Sequence, residues 1–355
     1  MRNHLEIKGA QKNTKYMLDL VFFTSPIGLG HATRDIAIAG NLTDISKRFV
    51  SGGAAPRIIS QNGFDVEDLY RPPPFMVKNG KMEKPLRWLF GYYSYYKQCK
   101  AISSEVLGKY SPRVVASDED FASLVVAQEE GLKTILVTDI LETSFASGIG
   151  SLIEKKMNKS MKKIIQKCDL VILPEAGDNQ DNMVRVGPIV RDTTQSREQI
   201  REKLGFTRKT IVVSIGGTDS GKFLIEKAIE AHSKIKSETD LVIVSGPSLD
   251  INNPGIRNLG FVNNLHEVIF AADLVVSLAG KSTIDEARHY GTPGIFIPIK
   301  GHFEQEDNAR ELGYTYDDIL HLDRIILEKI NQKREPKPFD GAKKAAEMIR
   351  KLVMA

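Results

Sequence analysis

Residues 274–286 read Leu-Val-Val-Ser-Leu-Ala-Gly-Lys-Ser-Thr-Ile-Asp-Glu, an apolar run that ends in a small-residue turn and continues into a helical stretch. Short apolar runs of this kind alternate with helical stretches along the whole chain. This alternation is typical of α/β folds built on parallel sheets. The stretch therefore predicts a strand, a turn and a helix, with Ser282 or Thr283 able to cap the helix.

Carboxylates follow this turn at a spacing that suits a sugar ligand. Glu286 lies one helical turn after the predicted cap, on the same helix face, where it could accept hydrogen bonds from a diol. Glu304 and Gln305 open the next predicted helix. A carboxylate beside an amide can pair with two or three adjacent hydroxyl groups. These residues are therefore candidate sugar-binding groups.

A second glycine-rich turn follows the first strand and reads Gly28-Leu-Gly30-His31-Ala-Thr-Arg34. A dinucleotide-binding turn would have glycine where Arg34 stands, and no acidic residue clearly ends a second strand, so NAD binding is rejected. Open backbone N–H groups at a helix start can bind an anion. His31 is a candidate base, a phosphate donor or simply a hydrogen-bonding group at the helix start.

A third turn, Gly216-Gly217-Thr218-Asp-Ser-Gly-Lys-Phe223, nearly matches the Walker A pattern. Phe223 occupies the position of the hydroxyl residue that binds magnesium, which argues against ATP hydrolysis. A strand, two glycines and a helix still supply backbone donors for a phosphate group.

Both halves of the chain share one plan, in which a strand leads through a glycine-rich turn into a helix and further β-α units. Strands are predicted at 17–24, 113–117, 133–138, 169–173, 210–215, 241–245, 256–260, 274–277 and 294–297. Helices are predicted at 33–46, 196–204, 223–235, 282–289 and 304–312. We expect a flexible extension at 1–15, an N-terminal domain at 16–190, a C-terminal domain at 191–336, and a helix at 337–355 that packs back on the N-terminal domain. Ligands of such folds bind at the carboxyl ends of the strands.

The net charge of +4 belongs to the first half of the chain. Residues 71–113 hold nine Lys and Arg against two acids. The same segment contains the aromatic residues Phe75, Trp88, Phe90, Tyr92, Tyr93, Tyr95, Tyr96 and Tyr110. Basic residues mixed with aromatics suit an anionic surface, either lipid or nucleic acid. Because the basic charge is confined to one segment, a nucleic-acid-binding protein or scaffold is the weaker interpretation.

The composition argues against several classes of protein. Two cysteines, Cys99 and Cys168, cannot form a disulfide framework or a four-cysteine zinc site, which favours a reducing, cytoplasmic location. No apolar run reaches 18 residues, and the first residues lack the apolar core of a signal peptide. A second basic stretch at 155–167 alternates lysines with apolar residues at helical spacing, which favours a core-packing helix with a solvated lysine face.

Taken together, the three turns resemble the ligand-binding turns of GT-B glycosyltransferases. The match is to the family that includes the bacterial transferase adding N-acetylglucosamine to lipid-linked muramyl peptide and the plant monogalactosyldiacylglycerol synthases. That family's donor signature is roughly S-x-(A/S)-G-x-(S/L)-T-x-x-E, followed by G-x-P and Q-x-x-N-A. The matching residues are Ser277, Ala279, Gly280, Ser282, Thr283, Glu286, Gly291, Pro293, Gln305, Asn308 and Ala309. Leu278 departs from the arginine that often follows the first serine.

The resemblance implies two Rossmann-like domains whose parallel sheets face each other across a cleft. It implies a nucleotide-sugar donor, usually UDP-linked, on the C-terminal domain, and no metal or other cofactor. By the same resemblance, Glu286 would bind ribose, and Glu304 and Gln305 would contact the donor sugar. The diphosphate would be surrounded by Gly216, Gly217, Thr218, Gly280, Ser282 and Thr283. Phe261 and Val262 would bracket the base, and Gly28, Gly30 and Arg34 would form the acceptor and phosphate loop.

An inverting transfer needs a base that deprotonates the acceptor hydroxyl group. Candidates on the acceptor half are His31, Asp118, Glu119, Asp120 and Asp139, of which His31 and Asp118 are favoured. The run Asp118-Glu-Asp120 is equally typical of an acidic cluster at a helix N-terminus.

These features predict a transferase that moves a hexose or N-acetylhexosamine to an acceptor. The expected acceptor is lipid-linked, with residues 71–113 against the inner face of an anionic membrane. The pattern Gly-x-Gly-His-x-x-Arg also resembles a nucleotide-sugar hydrolase of pseudaminic acid synthesis. A hydrolase or epimerase on the same fold therefore stays open.

Overall fold

The computed structural model describes residues 17–73, 77–78, 80–82, 85–143, 150–216, 221–235, 238–246 and 255–355. The predicted extension at 1–15 lies outside the described residues, as do Phe75, Gly217 and Thr218. The side chains of Trp88 and Phe90 are also outside the described part.

The N-terminal half is built on a parallel sheet of order β3-β2-β1-β6-β7-β8-β9. The strands of this sheet are β1 (Leu20–Thr24), β2 (Lys47–Gly52), β3 (Val66–Tyr70), β6 (Val114–Asp118), β7 (Lys133–Val137), β8 (Leu170–Leu173) and β9 (Met183–Arg185). Two further strands, β4 (Val77–Lys78) and β5 (Lys81–Met82), form a separate antiparallel hairpin. The helices of this half are α1 (Gly30–Gly40), α2 (Ala55–Gln61), α3 (Pro85–Tyr110), α4 (Phe121–Glu129) and α5 (Gly150–Lys167). Central strands such as β1 and β6 are buried on both faces, which explains the apolar runs Leu20–Phe23 and Val114–Ala116 that begin them.

The C-terminal half has a parallel sheet of order β12-β11-β10-β13-β14. Its strands are β10 (Lys209–Ser214), β11 (Thr239–Val244), β12 (Arg257–Asn258), β13 (Leu274–Leu278) and β14 (Gly294–Ile297). The helices that follow the N-terminal half are α6 (Arg197–Leu204), α7 (Lys222–Lys234), α8 (Leu265–Ala271), α9 (Lys281–Tyr290), α10 (Phe303–Glu311), α11 (Leu322–Lys329) and α12 (Gly341–Met354). A 3₁₀-helix at Tyr316–His321 precedes α11.

Each sheet reverses its strand order at one point. Strand β1 pairs with β2 on one side and with β6 on the other, and β10 pairs likewise with β11 and β13. Loops that leave neighbouring strands at such a point diverge and open a crevice, where ligands of α/β folds bind. The reversal therefore brings the turn at Gly28–His31 to the end of β6, and the turn at Gly216 to the end of β13.

The sequence patterns missed the less apolar strands. Strands β2, β3 and β9 were not predicted, because residues such as Lys47, Arg48 and Glu67 interrupt their apolar runs. The predicted helix at 33–46 was wrong at both ends, since α1 begins at Gly30 and ends at Gly40. Asn41 then turns the chain towards β2, and its side-chain amide donates to the Ala37 carbonyl at 2.9 Å.

The two halves contact each other beyond the linker that joins them. The hairpin β4–β5 reaches the C-terminal half, where the Lys300 N–H donates to the Gly80 carbonyl at 2.8 Å. Val77 of the same hairpin packs against the C-terminal core. Part of the basic segment 71–113 therefore spans the two halves.

The tyrosines of α3 are more buried than the sequence predicted. Tyr95 and Tyr110 are buried in the core that α3 forms with α4, and Tyr92 and Tyr96 pack partly against it. Only Tyr93 among these five is largely exposed, at 63%. The prediction that the aromatic residues exceed what the helix can bury was therefore wrong for four of these five tyrosines, because the described part of α3 packs on the sheet and on α4.

Helix α5 packs as predicted. Met161, Ile165 and Cys168 are buried, whereas the lysines between them lie at the surface. Among the described helices, none has both the length and the apolar composition that crossing a bilayer requires.

Helix α12 packs into the core of the N-terminal half. Its buried face consists of Ala342, Ala345, Ala346, Ile349 and Val353. At the edge of this contact the Arg350 guanidinium makes two hydrogen bonds to the Asp44 carboxylate, at 2.8 and 2.9 Å. The chain therefore crosses back to the N-terminal half after completing the C-terminal sheet.

We expect Ile349→Ala to lower the free energy of unfolding by about 2–5 kcal/mol, because Ile349 is fully buried and the deletion leaves a cavity. Met354→Ala in the same helix, at a side chain 62% exposed, should change it by less than about 0.5 kcal/mol. Urea unfolding followed by circular dichroism measures both variants. Equal effects of the two substitutions would contradict the packing of α12.

Candidate active site

A cleft with a volume of about 240 Å³ lies between the two halves, at the strand-order reversals of both sheets. Its N-terminal wall is formed by the turn at Gly28–His31 and by Asp139. Its C-terminal wall is formed by the turns after β10 and β13 and by the start of α10. Lining residues include Gly28, Gly30, His31, Arg34, Gly216, Phe261, Val262, Gly280, Ser282, Thr283, Glu286, Glu304 and Gln305.

His31 and Asp118 are brought together by the sheet. His31 lies in the first turn of α1, and Asp118 is the last residue of β6, which pairs with β1. The Nδ1 atom of His31 is 2.7 Å from Oδ1 of Asp118. Arg34, one helical turn after His31, donates to both Asp118 oxygens, from Nε at 2.8 Å and from Nη2 at 2.6 Å. Asp118 thus orients the imidazole and leaves its Nε2 atom for proton transfer.

The charges of this group stabilise one another. Burial opposes the charged form of His31, but the neighbouring Asp118 and Glu119 carboxyl groups raise its pKa to about 9. Burial alone would raise the pKa of Asp118, yet Arg34 and His31 hold it below its usual value. Unliganded His31 is therefore an imidazolium at neutral pH, beside an ionised Asp118.

The other three acids near β6 and β7 have different partners. Asp120 caps α4 by accepting from the Ala122 N–H at 3.2 Å, and it also accepts from the Tyr70 hydroxyl at 2.5 Å. Asp139 lies 3.4 Å from Nη1 of Arg34, and Glu119 accepts from the Thr138 hydroxyl at 3.0 Å. The acidic run at 118–120 therefore divides into one helix cap and two groups beside His31.

Potential metal ligands occur in this group, since one atom each from His31, Asp118 and Glu119 lies within 4.8 Å of the others. Both oxygens of Asp118 already accept hydrogen bonds from the Arg34 guanidinium. A second cation would compete with that guanidinium. We therefore interpret the group as an ion-paired centre for proton transfer.

The C-terminal wall approaches the N-terminal turn closely. A Cβ atom on Gly30 would lie 2.9 Å from Oγ of Ser282, so glycine allows the starts of α1 and α9 to meet. Gly280 is the N-cap residue of α9 and no side chain caps the helix, so the prediction that Ser282 or Thr283 does so was wrong. Lys281, also on this wall, lies 3.8 Å from the buried carboxylate of Asp285.

Glu286 is buried against Arg191, a residue that the sequence motifs did not single out. Nη2 of Arg191 is 3.2 Å from Oε1 of Glu286, and Nη1 donates to the Asn263 carbonyl at 2.8 Å. Both side chains line the cleft. Arg191 is the first residue after the predicted domain boundary. A single basic residue there belongs to no motif or repeating pattern that would mark it as a ligand-binding residue. Burial raises the pKa of Glu286, while Arg191 opposes that rise.

The start of α10 contributes Glu304 and Gln305. Burial, and then the nearby Asp139, raise the pKa of Glu304 to about 7. Glu304 of the C-terminal half and Asp139 of the N-terminal half both line the cleft. Oε1 of Gln305 accepts from the Ile299 N–H at 3.1 Å, which fixes the side chain.

Phe261 lies between the halves. The Arg57 guanidinium of α2 stacks 4.5 Å from the centre of its ring, and the ring packs against the N-terminal core. Val262 packs against the core between α6 and α8. Of the other predicted donor residues, Gly217 and Thr218 lie outside the described residues.

Comparisons with known proteins agree on the class of enzyme. Residues 210–351 match the glycosyltransferase family 28 C-terminal domain. An uncharacterised glycosyltransferase of Methanopyrus kandleri is 28% identical over 221 residues, 58% of this chain and 62% of the relative. Another, from Methanosarcina acetivorans, is 24% identical over 330 residues, 84% of each chain.

A third relative has a named reaction. It is the UDP-N-acetylglucosamine–N-acetylmuramyl-(pentapeptide) pyrophosphoryl-undecaprenol N-acetylglucosamine transferase of Aquifex aeolicus, 25% identical over 211 residues, 55% of this chain and 59% of the relative. Among solved structures, the glycotransferase of kitacinnamycin has a TM-score of 0.64 at 12% identity and covers 95% of both chains. At that identity the likeness shows the fold.

We expect the His31 imidazole to titrate with a pKa near 9. Asp118→Asn should lower that pKa, because it removes the nearest negative charge. Asp65→Asn, at an exposed carboxylate outside the cleft, should leave it unchanged. Nuclear magnetic resonance of the imidazole nitrogens, assigned with His31→Gln, measures the shift. A wild-type pKa close to the ordinary 6.5 would contradict the charge arrangement.

Proposed function

The chain is a glycosyltransferase of the GT-B fold with a family 28-type C-terminal domain, as its motifs predict, and from this we propose its reaction. It transfers a hexose or N-acetylhexosamine from a UDP-linked donor to an acceptor hydroxyl group, with inversion at the anomeric carbon and without a metal. One observation carries the proposal: the His31–Asp118 pair and the turn before α9 face each other across one cleft.

The donor side offers positive potential for a diphosphate. The N-terminus of α9 directs backbone N–H groups at the cleft, and Lys281 and Ser282 lie in its first turn. Gly216 lies two residues after β10 and has φ of +75°, a conformation that suits glycine. These groups stabilise the negative charge that develops on the leaving nucleoside diphosphate.

Glu286 is the proposed ribose ligand. Arg191 holds one of its oxygens at 3.2 Å, which orients the carboxylate at the cleft wall. Glu304 and Gln305, at the start of α10, are the proposed contacts of the donor sugar. Phe261 and Val262, on the same wall of the cleft as Glu286, are the proposed neighbours of the base.

His31 is the proposed base. With its Nδ1 atom bound to Asp118, Nε2 takes the proton of the acceptor hydroxyl while that oxygen bonds to the anomeric carbon. The bond from this carbon to the diphosphate breaks, and its electron pair leaves with the diphosphate. Because the base must be neutral, the transfer rate should increase as the pH rises towards the His31 pKa of about 9.

Donor binding tests the C-terminal site. We expect wild-type protein to bind UDP, and Glu286→Gln to weaken the affinity about 10-fold to 100-fold, because a charged hydrogen-bond partner of the ribose is lost. Glu311→Gln, at the exposed C-terminal end of α10, is the matched control and should bind like wild type. Titration calorimetry with UDP measures all three. Equal affinities for the wild type and Glu286→Gln would refute the ribose assignment.

Incubation with UDP-N-acetylglucosamine in water distinguishes transfer from hydrolysis. A transferase should release the sugar slowly without an acceptor, because water replaces a better-positioned hydroxyl group. Rapid release of free sugar would instead favour the alternative hydrolase. Absence of UDP binding by the wild type would contradict both.

For the acceptor, we propose a lipid-linked molecule taken from the inner face of an anionic membrane. The Aquifex relative is named for an undecaprenol-linked substrate. In this chain the support is the basic segment 71–113 and the lysine-rich surface of α5. Exposed Tyr93, with the Lys97 amino group 4.7 Å from its ring centre, is the described aromatic residue best placed to meet lipid headgroups.

We expect the protein to float with vesicles containing anionic lipid at low salt and to detach as salt screens the attraction. Replacing Lys155, Lys156, Lys159, Lys162 and Lys163 with glutamine should reduce the floating fraction several-fold, because each basic residue near the surface contributes. Replacing the same number of exposed lysines on the C-terminal half is the control. Failure of the wild type to float at low salt would overturn the membrane proposal.

A further inference from the structure

The hairpin β4–β5 belongs to the N-terminal half by sequence, yet its contacts place it on the C-terminal half. The Lys300 N–H donates to the Gly80 carbonyl at 2.8 Å, and Lys81 pairs with Lys300 as a parallel bridge. Val77 packs against the C-terminal core and also lines the cleft. The hairpin therefore adds a piece of the N-terminal half to the C-terminal wall of the cleft.

Gly80 is the residue that allows this contact. It is buried and has φ of +72°. A Cβ atom at this position would lie 2.7 Å from Cε2 of Phe223 and 2.8 Å from Cε2 of Tyr316. Carbon atoms in contact are about 3.5–4.0 Å apart, so a side chain here would push the hairpin away from both rings. Phe223, which stands in place of the Walker A hydroxyl residue, is thus one wall of the slot that receives Gly80.

Two consecutive backbone N–H groups connect the hairpin with the start of α10. The Lys300 N–H binds Gly80, and the Ile299 N–H donates to Oε1 of Gln305 at 3.1 Å. Ile299 and Gln305 both line the cleft. A displacement of Lys300 therefore moves the N–H group that orients the Gln305 amide.

We propose that Gly80 is a positioning residue for recognition of the donor sugar. By accepting from Lys300, it holds the Ile299 N–H where that group orients Gln305. The direction of the Gln305 amide then determines which sugar hydroxyl groups it can bind. The inference rests on the proposed function, because it requires that Gln305 contacts the sugar of a UDP-linked donor.

The N-terminal half thereby takes part in selecting a ligand that the C-terminal half binds. A contact that only joined the two halves would support the nucleotide and the sugar alike. A contact that acts through Gln305 affects the sugar and leaves UDP binding almost unchanged. Binding of UDP and of UDP-sugars therefore separates the two roles.

Three substitutions provide the test. Gly80→Ala places a Cβ atom against the two rings. Gly63→Ala is the matched control, since exposed Gly63 has φ of +83° and a Cβ atom there would meet no atom within 4 Å. It carries the cost of a positive φ without the steric conflict. Gln305→Leu, alone and combined with Gly80→Ala, removes the proposed sugar contact.

Titration calorimetry measures the affinities for UDP, UDP-N-acetylglucosamine, UDP-glucose and UDP-galactose. The sugar ratio is the affinity for the tightest-binding UDP-sugar divided by the affinity for UDP. We expect Gly80→Ala to lower this ratio about 3-fold to 10-fold, the effect of one misaligned hydrogen bond. Its affinity for UDP should stay within about 2-fold of the wild type, and Gly63→Ala should change neither quantity.

The combined variant tests the route through Gln305. Gln305→Leu should lower the sugar ratio by itself. Adding Gly80→Ala to it should have no further effect on the ratio, because the side chain through which Gly80 acts is absent. A further fall of about 3-fold or more would show that Gly80 acts by another route and would overturn the inference.

Two results with Gly80→Ala alone would also overturn it. One is a sugar ratio equal to that of the wild type. The other is an equal loss of affinity for UDP and for the UDP-sugars, which would show a contact that only joins the halves. Failure of the proposed function is recognised separately, by absence of UDP binding to the wild type.

Hydrogen exchange followed by nuclear magnetic resonance tests the contact without any ligand. The Lys300 side chain is exposed, yet its backbone amide should exchange slowly in the wild type because Gly80 accepts its hydrogen bond. Gly80→Ala should speed this exchange at least about 10-fold, and Gly63→Ala should not. Rapid exchange of the Lys300 amide in the wild type would overturn the inference, whether or not the variants fold.

Discussion

The bidentate ion pair between Arg34 and Asp118 joins α1 to the end of β6, and the N-terminal side of the cleft is organised around it. Both side chains are buried, so each needs the other to offset the cost of leaving water. The same carboxylate holds the imidazole of His31, and the same guanidinium lies near Asp139. Removing either partner would leave the other buried with fewer opposite charges around it, and would loosen the groups that surround His31, the proposed base.

This arrangement depends on the reversal of strand order. Neighbouring parallel strands end at one edge, and loops that leave them in opposite directions open a crevice there. The N-terminal sheet places His31 and Asp118 at its crevice, and the C-terminal sheet places Gly216 and Gly280 at its own. The absence of a side chain on Gly30 then lets the two edges approach to contact distance. The proposed proton acceptor and the proposed phosphate-binding turn therefore meet in one cleft.

The sequence predicted the parts of the fold that have strong local signals. Strands such as β1, with the run Leu-Val-Phe-Phe, and the turn at Gly280 were found because buried parallel strands have long apolar runs and glycine marks their ends. Strands β2 and β3 were missed because polar residues occupy them. The hairpin β4–β5 was missed because two-residue strands have no periodicity, and its role depends on a contact with Lys300 that is over 200 residues away in the chain.

The sequence by itself determined the α/β class, the three turns and the residue types that suit a nucleotide sugar. The tertiary structure alone decided how those residues are paired: Arg191 with Glu286, Asp120 as a helix cap, and Glu119 beside Nε2 of His31. The physical reason is the range of each interaction. Strand and turn preferences act between chain neighbours, whereas pKa values and ion pairs depend on burial and on charges that only folding brings together.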